Sequence, residues 1–172
     1  MLMNRYTKNG KFFSGGILMT DESTIFNPTD EQMIAAGWEV YVEPEPTDEQ
    51  KLWNRKQELT WAIQEYDRSD NVNQFTIGED TMWLDHNTRE QLKTSIEAYK
   101  AIGAENATKW FNNKAYTFPV DTWLGMLARL EVYAGDAKNV TDAHLAAVAN
   151  ATTLEELANF DHTAGYPEKL VF

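Results

Sequence analysis

Residues 119–133 read PVDTWLGMLARLEVY, and this stretch decides the fold of the larger part of the chain. Pro119 suits the first turn of a helix, where its missing N–H costs nothing. Large apolar residues then occupy every face of such a helix: Trp123, Leu124, Met126, Leu127, Leu130 and Tyr133. Because a helix that is apolar all round is buried, the stretch predicts a central helix with Trp123 and Leu127 in the core. Near Gly135 this helix either continues or breaks.

The segments before the central helix predict two further helices and two β-hairpins. A capping box at residues 47–50 starts the first helix, whose apolar stripe is Leu52, Leu59, Ile63 and Tyr66, widened by Trp53 and Trp61. Asp85 is expected to cap the second helix, which ends at Gly103. Alternating apolar residues around polar turns predict hairpins at residues 72–84 and 109–118.

After the central helix, the sequence predicts one short helix and an irregular tail. A capping box from Thr153 to Glu156 starts the short helix, which contains Leu154, Leu157 and Phe160. Residues 161–172 have no helical or strand periodicity.

Residues 1–46 predict a small β-rich module with one short helix. Asn9-Gly10 between apolar residues is a strong hairpin signal. Two short strands are expected at residues 17–19 and 24–26, and Thr29 to Gln32 forms a capping box for the helix. Residues 38–42 alternate between large apolar and polar side chains, which is typical of a half-buried strand. A linker rich in proline and acidic residues follows at residues 43–47. The predicted fold class is therefore α+β, with a β-rich module at 1–46 and a mainly helical domain with two hairpins at 47–172.

Composition excludes several classes of function. The 172 residues carry 15 Lys and Arg against 27 Asp and Glu, a net charge of −12. Binding to nucleic acid or to an anionic membrane needs clustered positive charge, so neither partner is expected. The absence of cysteine excludes disulfides and thiolate chemistry. No run of about 18 apolar residues and no N-terminal signal core occur, which favours the cytoplasm as the default location.

No catalytic, cofactor or metal site emerges from the residue pattern. His86, His144 and His162 are far apart and lack a ligand partner four residues on, so surface positions are expected for them. Residues 67–73 resemble the start of a calcium loop, but Val72 stands where the loop requires glycine. A pair of glycosidase carboxylates, which could come from anywhere in the chain, stays an open alternative.

Aromatic residues supply the candidate interaction surface. A module of this size buries only about 60% of the surface of its unfolded chain, so some large apolar groups should meet a partner. The candidates are Tyr6, Phe12, Phe13, Trp38 and Tyr41. The alternative is that the module packs onto the helical domain. Most tryptophans are expected in the core rather than on a sugar-binding platform, with Trp38 and Trp110 as candidates for exposed faces.

Two sets of short patterns resemble bacteriophage proteins. Residues 27–32, NPTDEQ, followed by the AAGW of residues 35–38 and the acidic proline linker, resemble the opening module of phage tail-associated proteins. Residues 83–85, 110–118 and 151–157 resemble an uncharacterised helical phage domain found beside tail-fibre genes. The resemblance implies a phage tail context, and it brings no catalytic signature with it.

Two functions follow from that resemblance. In the first, the chain is a non-enzymatic accessory that binds a tail-fibre protein and assists its assembly in the cytoplasm of the bacterial host. In the second, it is a structural component of the virion, as a fibre adaptor or a decoration protein. An unrecognised hydrolase is a distant third, and a homo-oligomer is compatible with either of the first two.

Overall fold

The computed structural model describes residues 5–21 and 23–172, which belong to two structural units, Met1–Thr47 and Asp48–Phe172. The fold is α+β, which confirms the predicted class: short antiparallel strand pairs accompany helices that dominate the second unit.

Over residues 5–21 and 23–47, the first unit contains five short strands and one helix. They are β1 Tyr6–Lys8, β2 Lys11–Phe12, β3 Ile17–Met19, β4 Thr24–Phe26, α1 Asp30–Ala35 and β5 Glu39–Val40. A three-stranded sheet has the order β2-β1-β5, and β3 pairs with β4 separately. The core of the unit consists of Tyr6, Leu18 and Met33. The predicted strand at residues 38–42 is shorter than expected.

Local signals set the turns and caps of the first unit. Asn9 and Gly10 have positive φ values of 51° and 74°, as the two-residue turn of a tight hairpin requires. The Thr29 side chain accepts a hydrogen bond from the Gln32 backbone, and the Gln32 side chain bonds back to Thr29. The capping box is thereby confirmed.

The second unit contains four strands and four helices. They are α2 Asp48–Arg68, β6 Phe75–Ile77, β7 Asp80–Met82, α3 His86–Ala101, β8 Asn106–Phe111, β9 Lys114–Pro119, α4 Val120–Asn150 and α5 Leu154–Ala158. Both predicted hairpins are present, as β6 with β7 and β8 with β9. Asp85 and Thr153 cap α3 and α5 as expected.

Helix α4 is the central element of the second unit. It packs against α2 and α3 and continues through Gly135 for 31 residues. Trp123 and Leu127 are only 1% and 4% exposed, so the prediction that both are buried is confirmed. The indole Nε1 of Trp123 donates to the carbonyl of Ala107 at 2.9 Å, which fixes α4 against the β8–β9 hairpin.

One expectation about the second unit is wrong. Trp53 and Trp61 are 63% and 67% exposed, because they lie about 120° and about 160° around the helix from Leu59, outside the face that α2 buries. The tail at residues 161–172 contains no helix or strand, as expected, but its end is held against β6. Thr76 pairs with Val171 in a parallel bridge, and the Thr76 and Phe172 N–H groups donate to the carbonyls of Leu170 and Thr76.

Candidate functional site

The five aromatic residues predicted as an interaction surface have mainly structural roles. Tyr6 is 6% exposed and lies in the core of the first unit, so its assignment to the surface is wrong. Phe13 and Trp38 are half-buried and meet edge to face, with ring centroids 5.3 Å apart. Phe12 and Tyr41 form a second such pair at 4.8 Å. Of the five, only Phe12 is largely exposed, at 53%.

A different apolar face lies on the β3–β4 hairpin. Ile17 pairs with Phe26 and Met19 pairs with Thr24, so these four side chains share one face of the two strands. Ile17, Met19 and Phe26 are 51%, 79% and 70% exposed. Leu18, between two of them, points the other way into the core and is 3% exposed. Three consecutive apolar residues place large side chains on both faces of a strand, and the sequence alone does not indicate which face is buried.

The second unit contains a cleft of about 710 Å³. One wall comes from alternate residues of β9, namely Lys114, Tyr116 and Phe118. The facing wall comes from one stripe of α4, namely Thr122, Gly125, Met126 and Arg129, which are spaced to share a helix face. The β6–β7 turn and Phe172 complete the lining. The cleft depends on the docked tail, so the sequence pattern alone did not predict it.

Three polar residues of the cleft lining are hydrogen-bonded: Lys114 and Tyr116 both bond to Asp80. Lys114 Nζ bonds the carboxylate of Asp80. This bond, followed by one from the Tyr116 hydroxyl, lowers the pKa of the Asp80 carboxyl. The same bond raises the pKa of Lys114, and burial raises the pKa of the Tyr116 phenol. At neutral pH the charges of Lys114 and Asp80 therefore neutralise each other.

The cation of Arg129 has a different environment. Its guanidinium carbon lies 4.8 Å from the centroid of the Phe172 ring, a favourable cation–π distance. Within residues 5–21 and 23–172, no ion pair involves Arg129. The cleft therefore combines apolar walls with a positive charge that no carboxylate of the described residues neutralises.

The three histidines occupy separate environments. His86 is exposed and lies 3.6 Å from Glu131. His162 contacts the ring of Tyr66 edge-on. His144 is half-buried between Phe160 and Tyr166, and its Nδ1 atom has no hydrogen-bond partner, so the expectation of a surface position is wrong for His144.

The segment that resembled a calcium loop is engaged in structural contacts. Asp67 lies within α2, and its Oδ1 atom accepts a hydrogen bond from the Thr141 hydroxyl at 2.7 Å. The Asn73 amide donates to the Asp67 carbonyl. Over the described part of the chain, no group of three or more His, Asp or Glu residues is arranged to hold a metal ion.

Comparisons with known proteins found no similar family model, curated protein or solved structure. Among the helices in the described ranges, none has both the length and the apolar character that a membrane span needs.

Proposed function

We propose that this chain is a non-enzymatic accessory of a bacteriophage tail that binds a tail-fibre protein and assists its assembly. The phage context is supported only by the resemblance of residues 27–38 and of the short patterns in the second unit. The binding role is supported by the exposed apolar face of Ile17, Met19 and Phe26. On this proposal the protein acts in the cytoplasm of the bacterial host.

The β3–β4 face has the properties of a protein-binding surface. Three large apolar side chains are exposed side by side on strands of only three residues each, and such a patch indicates an interaction site. A two-stranded sheet is marginal in water without further packing, so a partner that covers this face would stabilise it. Met19 adds a flexible side chain that adapts to the shape of a partner.

Variants of the face test the binding role. Met19→Lys in the full-length chain should abolish co-purification with the tail-fibre protein encoded by the same phage, because a charge would be buried in the interface. Val42→Lys is the matched control, since Val42 is 80% exposed in the same unit but lies outside β3 and β4. If both variants retain the fibre protein, or both lose it, this face is not the binding surface.

The alternative is a structural component of the virion, such as a fibre adaptor or a decoration protein. Mass spectrometry of purified phage particles separates the two roles. An assembly accessory should be absent from mature particles, whereas a structural component should be present at a fixed copy number. Detection at a fixed copy number would replace the accessory role with the structural one.

A further inference from the structure

We propose that the cleft between β9 and α4 binds a small amphipathic carboxylate, with its apolar body between the cleft walls and its carboxylate on Arg129. This site belongs to the second unit and is independent of the tail-fibre proposal. The ligand class covers medium-chain fatty acids and aromatic acids that carry one negative charge.

The cleft is open because α4 has a glycine where its stripe faces β9. A Cβ atom built on Gly125 would meet no other heavy atom within 4 Å, so the empty space begins at the helix backbone. Phe118, Met126 and Phe172 supply apolar surface around this space. Its volume of about 710 Å³ falls within the range of about 300–1,000 Å³ that is typical of small-molecule sites.

The charges of the cleft select a single carboxylate. Lys114 is already neutralised by Asp80, which leaves Arg129 as the cation available to a ligand. A guanidinium matches a carboxylate through two parallel hydrogen bonds. Glu79 also lines the cleft, and its negative charge disfavours a ligand with two negative charges more than a ligand with one.

Because the protein carries a negative net charge, it needs a local positive group such as Arg129 to bind an acid. With a net charge of −12, the chain repels anions in general, so selective binding of an acid would require a local site. The Phe172 ring lies against the guanidinium of Arg129. Arg129 is nevertheless exposed, so it is accessible to a ligand carboxylate and can donate charge-assisted hydrogen bonds to it.

Calorimetric titration of the full-length protein with decanoate and with 2-naphthoate tests the proposal. The wild-type chain should bind at least one of these two acids saturably. Gly125→Leu should weaken that binding at least about tenfold, because the new side chain occupies the cleft. Gly135→Leu is the matched control: it lies on the same helix, a Cβ there also meets nothing within 4 Å, and it lines none of the cleft. That variant should bind like the wild type.

Arg129→Gln tests the role of the positive charge in binding separately from the role of the cleft volume. It should weaken the binding of the acid about tenfold and leave the binding of an uncharged analogue of the same body, such as decanol, unchanged. Thr122→Leu narrows the other end of the α4 stripe and replaces Gly125→Leu if that variant fails to fold. The proposal is overturned if neither acid binds below about 1 mM, if Gly125→Leu binds as tightly as Gly135→Leu, or if Arg129→Gln leaves acid binding unchanged.

Discussion

The buried guanidinium of Arg89 donates its Nε–H to Glu131 Oε2 at 2.8 Å, which connects α3 to α4. A second nitrogen of Arg89 donates to the carbonyl of Leu84 at 2.7 Å, and its guanidinium carbon lies 5.4 Å from the centroid of the Trp83 ring. Arg89 is 6% exposed, and a buried arginine without its carboxylate would be strongly destabilising. Glu131 therefore makes the burial of this charge possible.

The Arg89–Glu131 pair should make stability depend on acid pH. The hydrogen bond from Arg89 lowers the pKa of the Glu131 carboxyl below its ordinary value of 4.5. Stability from this pair is therefore fully present above pH 4.5 and is lost as the pH falls through the lower pKa of the folded state. Glu131→Gln should lower the free energy of unfolding at pH 6 by about 1 kcal/mol, a value reduced because half of the Glu131 side chain is exposed.

Urea unfolding at pH 6 and pH 3.5 measures this effect. The difference between the wild type and Glu131→Gln should shrink at the lower pH, because the unfolded state, in which the Glu131 pKa is higher, takes up the proton first and so becomes relatively more stable. Glu97→Gln on the exposed face of α3 is the control, because Glu97 has no ion pair in the part of the chain that the structure describes. A difference that stays constant between the two pH values would contradict the role of the carboxylate charge.

The core position of Leu127 predicts a large loss of stability on truncation. Leu127→Ala removes apolar contacts at a site that is 4% exposed, and it should lower the free energy of unfolding by roughly 2–5 kcal/mol. Leu124→Ala, at a half-buried neighbouring position of the same helix, should cost less. Equal losses for the two variants in chemical unfolding would mean that both positions are buried to the same degree.

The hydroxyl of Tyr133 should contribute measurably to the attachment of α4. It donates to the carbonyl of Val72 at 2.9 Å in a buried environment. Tyr133→Phe keeps the ring and removes this hydrogen bond, while the Val72 carbonyl still accepts from the Gln74 N–H at 3.1 Å. The loss should therefore be about 1 kcal/mol, the net value of one hydrogen bond. Tyr99→Phe on α3 is the control for loss of a hydroxyl from a half-buried tyrosine. Thermal unfolding that shows no difference between the two variants would contradict this role.

The fold was predictable from the sequence where local chemistry decides it. Capping residues such as Thr29 and Asp85 form hydrogen bonds within a few positions along the chain. The apolar residues of α4 predict its burial whichever elements cover it. The exposure of Trp61 was not predicted because most tryptophans were assigned to packing, with Trp38 and Trp110 as the candidates for exposed faces. The pairing of Val171 with Thr76 joins residues far apart in the sequence, and no local pattern encodes such a contact.

The candidate sites were less predictable than the fold, because they too depend on contacts between residues that are far apart in the sequence. Tyr6 is buried and Met19 is exposed, and which face of a strand becomes buried depends on its partner strand and on the helix beneath it. The cleft beside Gly125 likewise requires β9, α4 and Phe172 to meet. Only the assembled structure brings these three elements together.

The tight turn between β8 and β9 provides a final prediction about backbone conformation. Asn112 and Asn113 have φ values of 47° and 62°, a left-handed conformation that asparagine tolerates and β-branched residues do not. Asn113→Val should therefore lower the free energy of unfolding by about 1–2 kcal/mol. Asn113→Gly should change it by less than about 0.5 kcal/mol, because glycine adopts positive φ without steric cost. Asn71→Val is the control for the substitution itself, since Asn71 is exposed and lies outside the residues with positive φ. Denaturant unfolding that gives equal losses for Asn113→Val and Asn71→Val would show that the left-handed turn is not what makes position 113 sensitive.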